Sequence, residues 1–277
     1  MTIATTASGT HYFYNKKEQD IPIVFIHGVG LTYEIWQPQL DFFKNRTVLA
    51  YDILGHGKSS LTKKNISFDD LADQIIDLTD ELGIQKLHLI GFSIGSLIAR
   101  NFASRFNQRL QSLILIGSIY KRSDEQQKTV NQRFEQAQKE LKLSKQALKR
   151  WFTDKYLEKN PDMYEKISSI ISSNNMTNFL KLYELFVKHK NDEDFDKIKV
   201  NTLIITGELD MGSTIEMAKE LNQIINNSKL KIIENGKHLC SIECADDVNI
   251  KIKNFIDNKK ILKTIFVKNR IINYIVS

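Results

Sequence analysis

The chain is poor in cysteine and proline, with two and three among 277 residues, and it contains no apolar run long enough to cross a bilayer. Cys240 and Cys244 stand four residues apart and cannot supply the disulfide framework that replaces a core in small secreted proteins. The start, Met1-Thr2-Ile3-Ala4-Thr5-Thr6, lacks a cationic segment followed by an apolar one, so a cytoplasmic protein is expected. Ile261 to Ser277 comes nearest to a spanning segment, but Lys263, Lys268, Asn269 and Arg270 punctuate it. It reads as an appended helix or strand that packs on the body or on a partner, with no membrane association. Charge of one sign is lacking too. The 39 basic and 33 acidic residues leave +6, mixed along the chain, without the basic stripe that nucleic acid requires. A homo-oligomer stays an open alternative. Hydrophobic residues make up 42%, enough for one large domain or one domain with an insertion.

Two short β-branched and aromatic runs, Thr2 to Thr6 and Thr10 to Tyr14, flank a Ser8-Gly9 turn signal and read as a hairpin. Apolar runs follow at Ile21 to Ile26, Thr47 to Tyr51, Leu87 to Ile90, Leu113 to Ile116, Leu203 to Thr206 and Leu230 to Ile233. A strand apolar at every position is buried on both faces, as in a sheet covered by helices on either side. Helical patterns lie between these runs. Ser67-Phe68-Asp69-Asp70 predicts a capping box ahead of Leu71, Ile75 and Leu78, with Gly83 at the stop. Ser213-Thr214-Ile215-Glu216 repeats the arrangement ahead of Met217 and Leu221, and Ile242 to Ile256 forms a last amphipathic helix. Strands alternating with helices imply a mainly parallel eight-stranded α/β sheet. The section 120–196 has no strand pattern and is too long for a loop, so it is expected to be a helical lid inserted into a core of 1–119 and 197–277.

The sharpest motif is Gly91-Phe92-Ser93-Ile94-Gly95, directly after one apolar run and directly before the helical run Leu97 to Phe106. A serine at a sharp strand-to-helix turn adopts a strained backbone, and its neighbours two before and two after must be small for the helix to approach the strand. Ser93 would project above the sheet, with the N–H of Ile94 able to stabilise an oxyanion. Alone, the pentapeptide also admits chance or a plain helix cap. Three companions argue otherwise. His27-Gly28-Val29-Gly30 ends the first buried strand and offers the N–H of Val29 as the second oxyanion donor. Gly207-Glu208-Leu209-Asp210 puts Asp210 at a strand's carboxyl end, where sites assemble in open parallel sheets, and Asn235-Gly236-Lys237-His238 puts His238 in a glycine loop before the last helix.

In the order Ser93, Asp210, His238 the chain resembles the α/β-hydrolases over nearly its whole length. Asp52-Ile53-Leu54-Gly55-His56-Gly57-Lys58-Ser59 resembles that family's turn after the fourth strand, which makes Asp52 structural rather than the triad acid. Glu208 is an alternative acid two residues from Asp210; family position favours Asp210. His27 reads as a structural hydrogen-bonding residue, and His11, His56, His88 and His189 as surface or packing histidines. His238, Cys240 and Cys244 fall short of zinc-site spacing, and no dinucleotide or phosphate loop is visible, so neither metal nor cofactor is expected.

The resemblance implies a serine hydrolase acting through an acyl-enzyme on Ser93, His238 as base, Asp210 orienting it and Val29 and Ile94 holding the oxyanion. Lys149-Arg150-Trp151-Phe152-Thr153, with Asn160-Pro161 further on, is similar to the lid of oxoadipate enol-lactonases, as is Gly207 to Thr214. Ser96 departs from that pattern, since many members carry a second glycine there. The expected partner is a small-molecule ester or lactone. Gly28, Trp151 and Arg150 are candidate substrate contacts, Lys155 a second candidate cation, and Trp151 and Phe152 alternatively anchor the lid's own small core. Three functions stay in play: an ester or lactone hydrolase, a carbon–carbon bond hydrolase or cofactor-free perhydrolase of the same fold, and a slow-turnover small-molecule receptor.

Overall fold

The computed structural model describes residues 1–140, 146–257, 261–265 and 273–276. Eight strands form one sheet: β1 (Thr2–Thr5), β2 (His11–Asn15), β3 (Ile23–Ile26), β4 (Val48–Tyr51), β5 (Leu87–Phe92), β6 (Leu110–Ile116), β7 (Thr202–Gly207) and β8 (Ser228–Ile233). Their spatial order is β1-β2-β4-β3-β5-β6-β7-β8, antiparallel for β1/β2 and β2/β4 and parallel from there to β8. Each apolar run read from the sequence forms one of these strands.

Alternation explains the unbroken apolar stretches of β3 and β6, whereas β8, at the edge of the sheet, carries Lys231 and is fully buried only at Ile233, so two-sided burial does not hold there. Val24, Ile26, Leu87, Leu89, Leu113 and Leu115 face one core; Ile23, Phe25, Ile90, Phe92, Ile114 and Ile116 face the other. Complete burial of such a side chain contributes roughly 1.5–3 kcal/mol. The helices between strands are α1 (Gln37–Phe42), α2 (Phe68–Glu81) and α3 (Ile94–Phe106). After β6 come α4 (Asp124–Glu140), α5 (Gln146–Trp151), α6 (Asp154–Lys159), α7 (Pro161–Ser172) and α8 (Met176–Val187), and after β7 come α9 (Ile215–Ile224), α10 (Cys240–Glu243) and α11 (Ala245–Ile256). The first core receives α2, α3 and α9; the second receives α1 and α11.

Ser67 caps α2 as expected, accepting from the N–H of Asp70 in a reciprocal capping box. The cap of α9 lies one residue later than the sequence suggests. Thr214 accepts from the N–H of Met217, while Ser213 turns inward and donates its hydroxyl to the carbonyl of Gly117. The expected helix Ile242 to Ile256 is broken at Cys244, giving α10 and α11. In the C-terminal tail, Ile261–Ile265 and Asn273–Val276 pair as an antiparallel two-stranded sheet; Lys268, Asn269 and Arg270 lie outside the described residues.

Among the described residues, five α-helices, α4 to α8, lie between β6 and β7, and a buried cation fastens both ends of the section to α3. Arg100, fully buried, donates to the carbonyl of Ile119 at 2.7 Å and to Glu193 at 2.7 Å. Burial pushes the Glu193 carboxyl up, but Arg100 and His189 outweigh it and hold the pKa down to about 2. Trp151 and Phe152 do not close a separate core within the insertion. They join the second core beside Phe92, Ile116 and Leu239, and the insertion's own cluster is Val130, Ala137, Phe179, Tyr183 and Val187 of α4 and α8.

Candidate active site

Parallel pairing of β3, β5, β6, β7 and β8 brings their carboxyl ends to one edge of the sheet, and the chain reverses its direction of travel between β3 and β5. Ser93 stands at that point. It follows β5, takes φ 55° and ψ −119°, and begins α3. Non-glycine residues avoid such positive φ, and here the surroundings impose it. The N–H of Ser93 donates to the carbonyl of Ile116 at 3.0 Å. A Cβ on Gly91 would lie 2.2 Å from the carbonyl oxygen of Gly95, and one on Gly95 would lie 2.5 Å from that of Ile26. Both glycines are therefore required by backbone–backbone packing. Ser96, where the enol-lactonase pattern often carries glycine, is fully buried and donates its hydroxyl to the Ser93 carbonyl at 2.6 Å, adding a tie to the turn.

Asp210 and His238 meet at the ends of β7 and β8. His238 Nδ1 and Asp210 Oδ2 are 2.7 Å apart, and Asp210 Oδ1 accepts from the N–H groups of Gly212 and Ser213 at 2.8 and 3.0 Å. Burial pushes the Asp210 carboxyl up, but the His238 charge and these hydrogen bonds outweigh it and hold the pKa below the ordinary carboxylate value. The imidazole packs against Phe92, the residue before Ser93, with ring centroids 4.8 Å apart. Among the described residues the Ser93 hydroxyl forms no hydrogen bond to His238. Glu208 is exposed and accepts instead from the N–H of Asn235. Asp52 binds the N–H groups of Tyr33 and Lys58, which makes it the organiser of a turn.

The loop 28–30 runs beside Ser93. A Cβ on Gly28 would lie 3.3 Å from the Ser93 Cβ. Two buried histidines grip this loop. His27 Nε2 accepts from the N–H of Ile53 at 3.0 Å, so its proton resides on Nδ1, which donates to the carbonyl of Gly28 at 2.7 Å. His56 Nε2 accepts from the N–H of Gly30 at 2.8 Å. Burial first, and His56 second, lower the His27 pKa to about 3; burial lowers that of His56 to about 4. Both rings are neutral. The N–H of Ile94, first in its helix, has no intrahelical acceptor, and that of Val29 has none among the described residues.

Histidines 11, 56 and 88 are all buried, so the surface alternative is excluded for them. The hold of His56 on Gly30 escaped the sequence reading because no local pattern connects residues 26 apart. Arg150 is half-buried in the insertion and forms no hydrogen bond or ion pair among the described residues; Lys155 is exposed. Among the described residues neither forms a hydrogen bond or ion pair with Ser93. Trp151 is half-buried, and its carbonyl accepts from the N–H of Leu239 at 3.0 Å, next to His238. Cys240 is fully buried, and burial raises its thiol pKa well above the ordinary value.

A model of the α/β-hydrolase fold matches residues 21–244. The chain belongs to the α/β-hydrolase fold family. This α/β-hydrolase is 26% identical over 251 residues to (E)-2-((N-methylformamido)methylene)succinate hydrolase of Acinetobacter baylyi, covering 90% of this chain and 94% of that protein. It is 28% identical over 230 residues to 3-oxoadipate enol-lactonase 1 of the same organism, covering 83% and 86%. The crystal structure of the enol-lactonase from Burkholderia xenovorans LB400 matches the hydrolase with a TM-score of 0.78 at 23% identity, covering 90% of this chain and 96% of that one. The described residues of this hydrolase include no helix long and apolar enough to cross a membrane.

Proposed function

We propose that this α/β-hydrolase is a serine hydrolase that cleaves a small carboxylic ester or lactone through an acyl-enzyme on Ser93. The observation that carries the reading is the 2.7 Å Asp210–His238 pair at the strand ends beside a serine held at φ 55°. His238 Nε2 takes the proton of the Ser93 hydroxyl, Oγ adds to the acyl carbon, and the carbonyl electron pair moves to the oxygen. The Val29 and Ile94 N–H groups meet that oxyanion. Collapse expels the alkoxide, which takes the proton from His238; water then repeats the sequence and frees the acid. Asp210 keeps the imidazole tautomer and stabilises the imidazolium. Catalytic hydrogen bonds often tighten only in the substrate complex, which is when the serine–imidazole bond is needed.

In this reading the section 120–196 is the lid. Two contacts support it: the Asn174 side chain donates to the carbonyl of Gly30 at 2.9 Å, and the Trp151 carbonyl accepts from Leu239. The lid thereby touches both the oxyanion loop and the base loop, where it excludes water. Gly28 leaves room for the acyl group beside Ser93, and Trp151 forms a wall.

Arg150 points to a small anionic substrate. Burial, with Arg133 adding to it, lowers its pKa, and no carboxylate among the described residues compensates it. A half-buried guanidinium with no carboxylate partner among the described residues favours an incoming carboxylate. The names of the two relatives, 3-oxoadipate enol-lactonase 1 and (E)-2-((N-methylformamido)methylene)succinate hydrolase, both describe carboxylate-bearing compounds. Turnover of short esters, long-chain esters, small enol-lactones and vinylogous diketones, with fluorophosphonate labelling of Ser93, tests the proposal. Enol-lactone turnover that loses affinity in Arg150→Ala with labelling intact supports it. Preference for long acyl chains refutes the anionic-lactone assignment, diketone cleavage moves the protein to carbon–carbon hydrolysis, and binding without turnover makes it a receptor.

A further inference from the structure

Both residues that flank His238 hold the same corner of the inserted helices. The Lys237 ammonium donates to the carbonyl of Lys149 at 2.8 Å, and the N–H of Leu239 donates to the carbonyl of Trp151 at 3.0 Å. These carbonyls belong to the last turn of α5, where no intrahelical donor reaches them. Glu243, at the end of α10, closes the arrangement. Its Oε1 accepts from the N–H of Thr153 at 3.1 Å and from the Thr153 hydroxyl, while its Oε2 accepts from the N–H of Lys237 at 3.3 Å. Thr153 in turn caps α6 by accepting from the N–H of Tyr156. One carboxylate thus joins the α5–α6 corner to the residue immediately before His238. Packing alone would be met by an apolar side chain. A carboxylate with each oxygen on a different segment supplies directed, charge-assisted hydrogen bonds instead.

We propose that Glu243 is a positioning residue: it holds the His238 loop and the α5–α6 corner as one body and so sets the place of the imidazole against Ser93. The inference rests on the reading of His238 as general base. Trp151, bonded to Leu239, belongs to the same body, so the wall it forms and the base keep a constant spacing. Glu243→Gln retains one acceptor but turns an NH2 donor toward one of the N–H groups; Glu243→Ala serves neither segment.

The test uses the full chain, hydrolysis of p-nitrophenyl acetate, the rate of fluorophosphonate labelling, and acrylamide quenching of tryptophan emission. Glu243→Ala is expected to lower kcat and the labelling rate on the order of 10²-fold, as a misplacement of about 1 Å does, with KM unchanged. Glu243→Gln falls between it and the parent, and carries the test if the alanine variant does not fold. Both variants expose Trp151 to acrylamide, whereas Trp36, fully buried, stays protected. Parent rates per labelled molecule overturn the proposal, including the case where only part of the protein labels, since that signals lost folding and not a misplaced base. His238→Ala separates the two levels. If it labels at the parent rate, the base assignment falls and this inference with it; if it abolishes labelling while the Glu243 variants keep parent rates, this inference alone falls.

Discussion

His27 aims the N–H of Val29. The carbonyl of Gly28 and the N–H of Val29 belong to one planar peptide and point in opposite directions, so the 2.7 Å bond from His27 Nδ1 to that carbonyl turns the N–H away from the ring. The Leu31 N–H adds a second bond to the same carbonyl at 3.2 Å. His27→Ala should therefore lower kcat with little change in KM. The loss is bounded by the roughly 10²–10³-fold cost of removing one oxyanion donor outright. Steady-state kinetics decide it: an increase in KM at constant kcat would show that the ring serves ground-state binding only.

Ser93→Ala is expected to abolish both hydrolysis and fluorophosphonate labelling while the melting temperature stays at or above that of the parent, because it removes a positive-φ residue's hydroxyl and nothing from the fold. Asp210→Asn should cost on the order of 10⁴ in kcat by favouring the wrong imidazole tautomer, following the serine-protease precedent. If Asp52→Asn were equally harmful in a folded protein, the orienting carboxylate would have been misassigned.

Two glycines should respond to alanine for different reasons. At Gly95 the added methyl meets backbone carbonyls of Ile26 and His27 at 2.5 and 2.6 Å, so the helix must shift; overpacking of this kind costs about 1–3 kcal/mol or more. The shift also displaces His27 and depresses kcat. At Gly83, φ is +69° with nothing within 4 Å, so only the left-handed backbone is penalised, by about 1–2 kcal/mol, and kcat is spared. Urea unfolding paired with kinetics distinguishes the two; equal kcat losses would contradict the assignment.

Acid should destabilise the fold below the ordinary histidine pKa. Burial leads the causes that lower His27 to about 3 and His56 and His88 to about 4, whereas unfolded histidines take up protons near pH 6.5. Between those values the unfolded chain binds more protons than the native one, so stability falls as pH falls, by up to about 1.4 kcal/mol per pH unit per histidine. Asp210, with its lowered pKa, loses its contribution in the same direction as the pH drops through its folded value. Urea midpoints measured from neutral to acid pH should decline steadily; a flat profile down to the native histidine values would overturn the buried-neutral assignment.

The parts legible in the sequence are those whose physical cause is local. The β5–α3 turn needs small residues at fixed offsets from Ser93, so Gly91 and Gly95 announce it, and strands buried on both faces announce themselves as unbroken apolar runs. The capping of α9 shows the limit of local reading. Ser213 and Thr214 are equally good caps by type, and only the distant carbonyl of Gly117, drawing the Ser213 hydroxyl inward, assigns the cap to Thr214. Trp151 and Phe152 carried no mark of the core they join, because that core is built by strands far from them in sequence. The hold of His56 on Gly30 spans 26 residues, and the bond of Glu243 to Thr153 spans 90. Such pairs leave no periodicity or spacing for a sequence to display; they exist only once the sheet order has placed six parallel strand ends side by side.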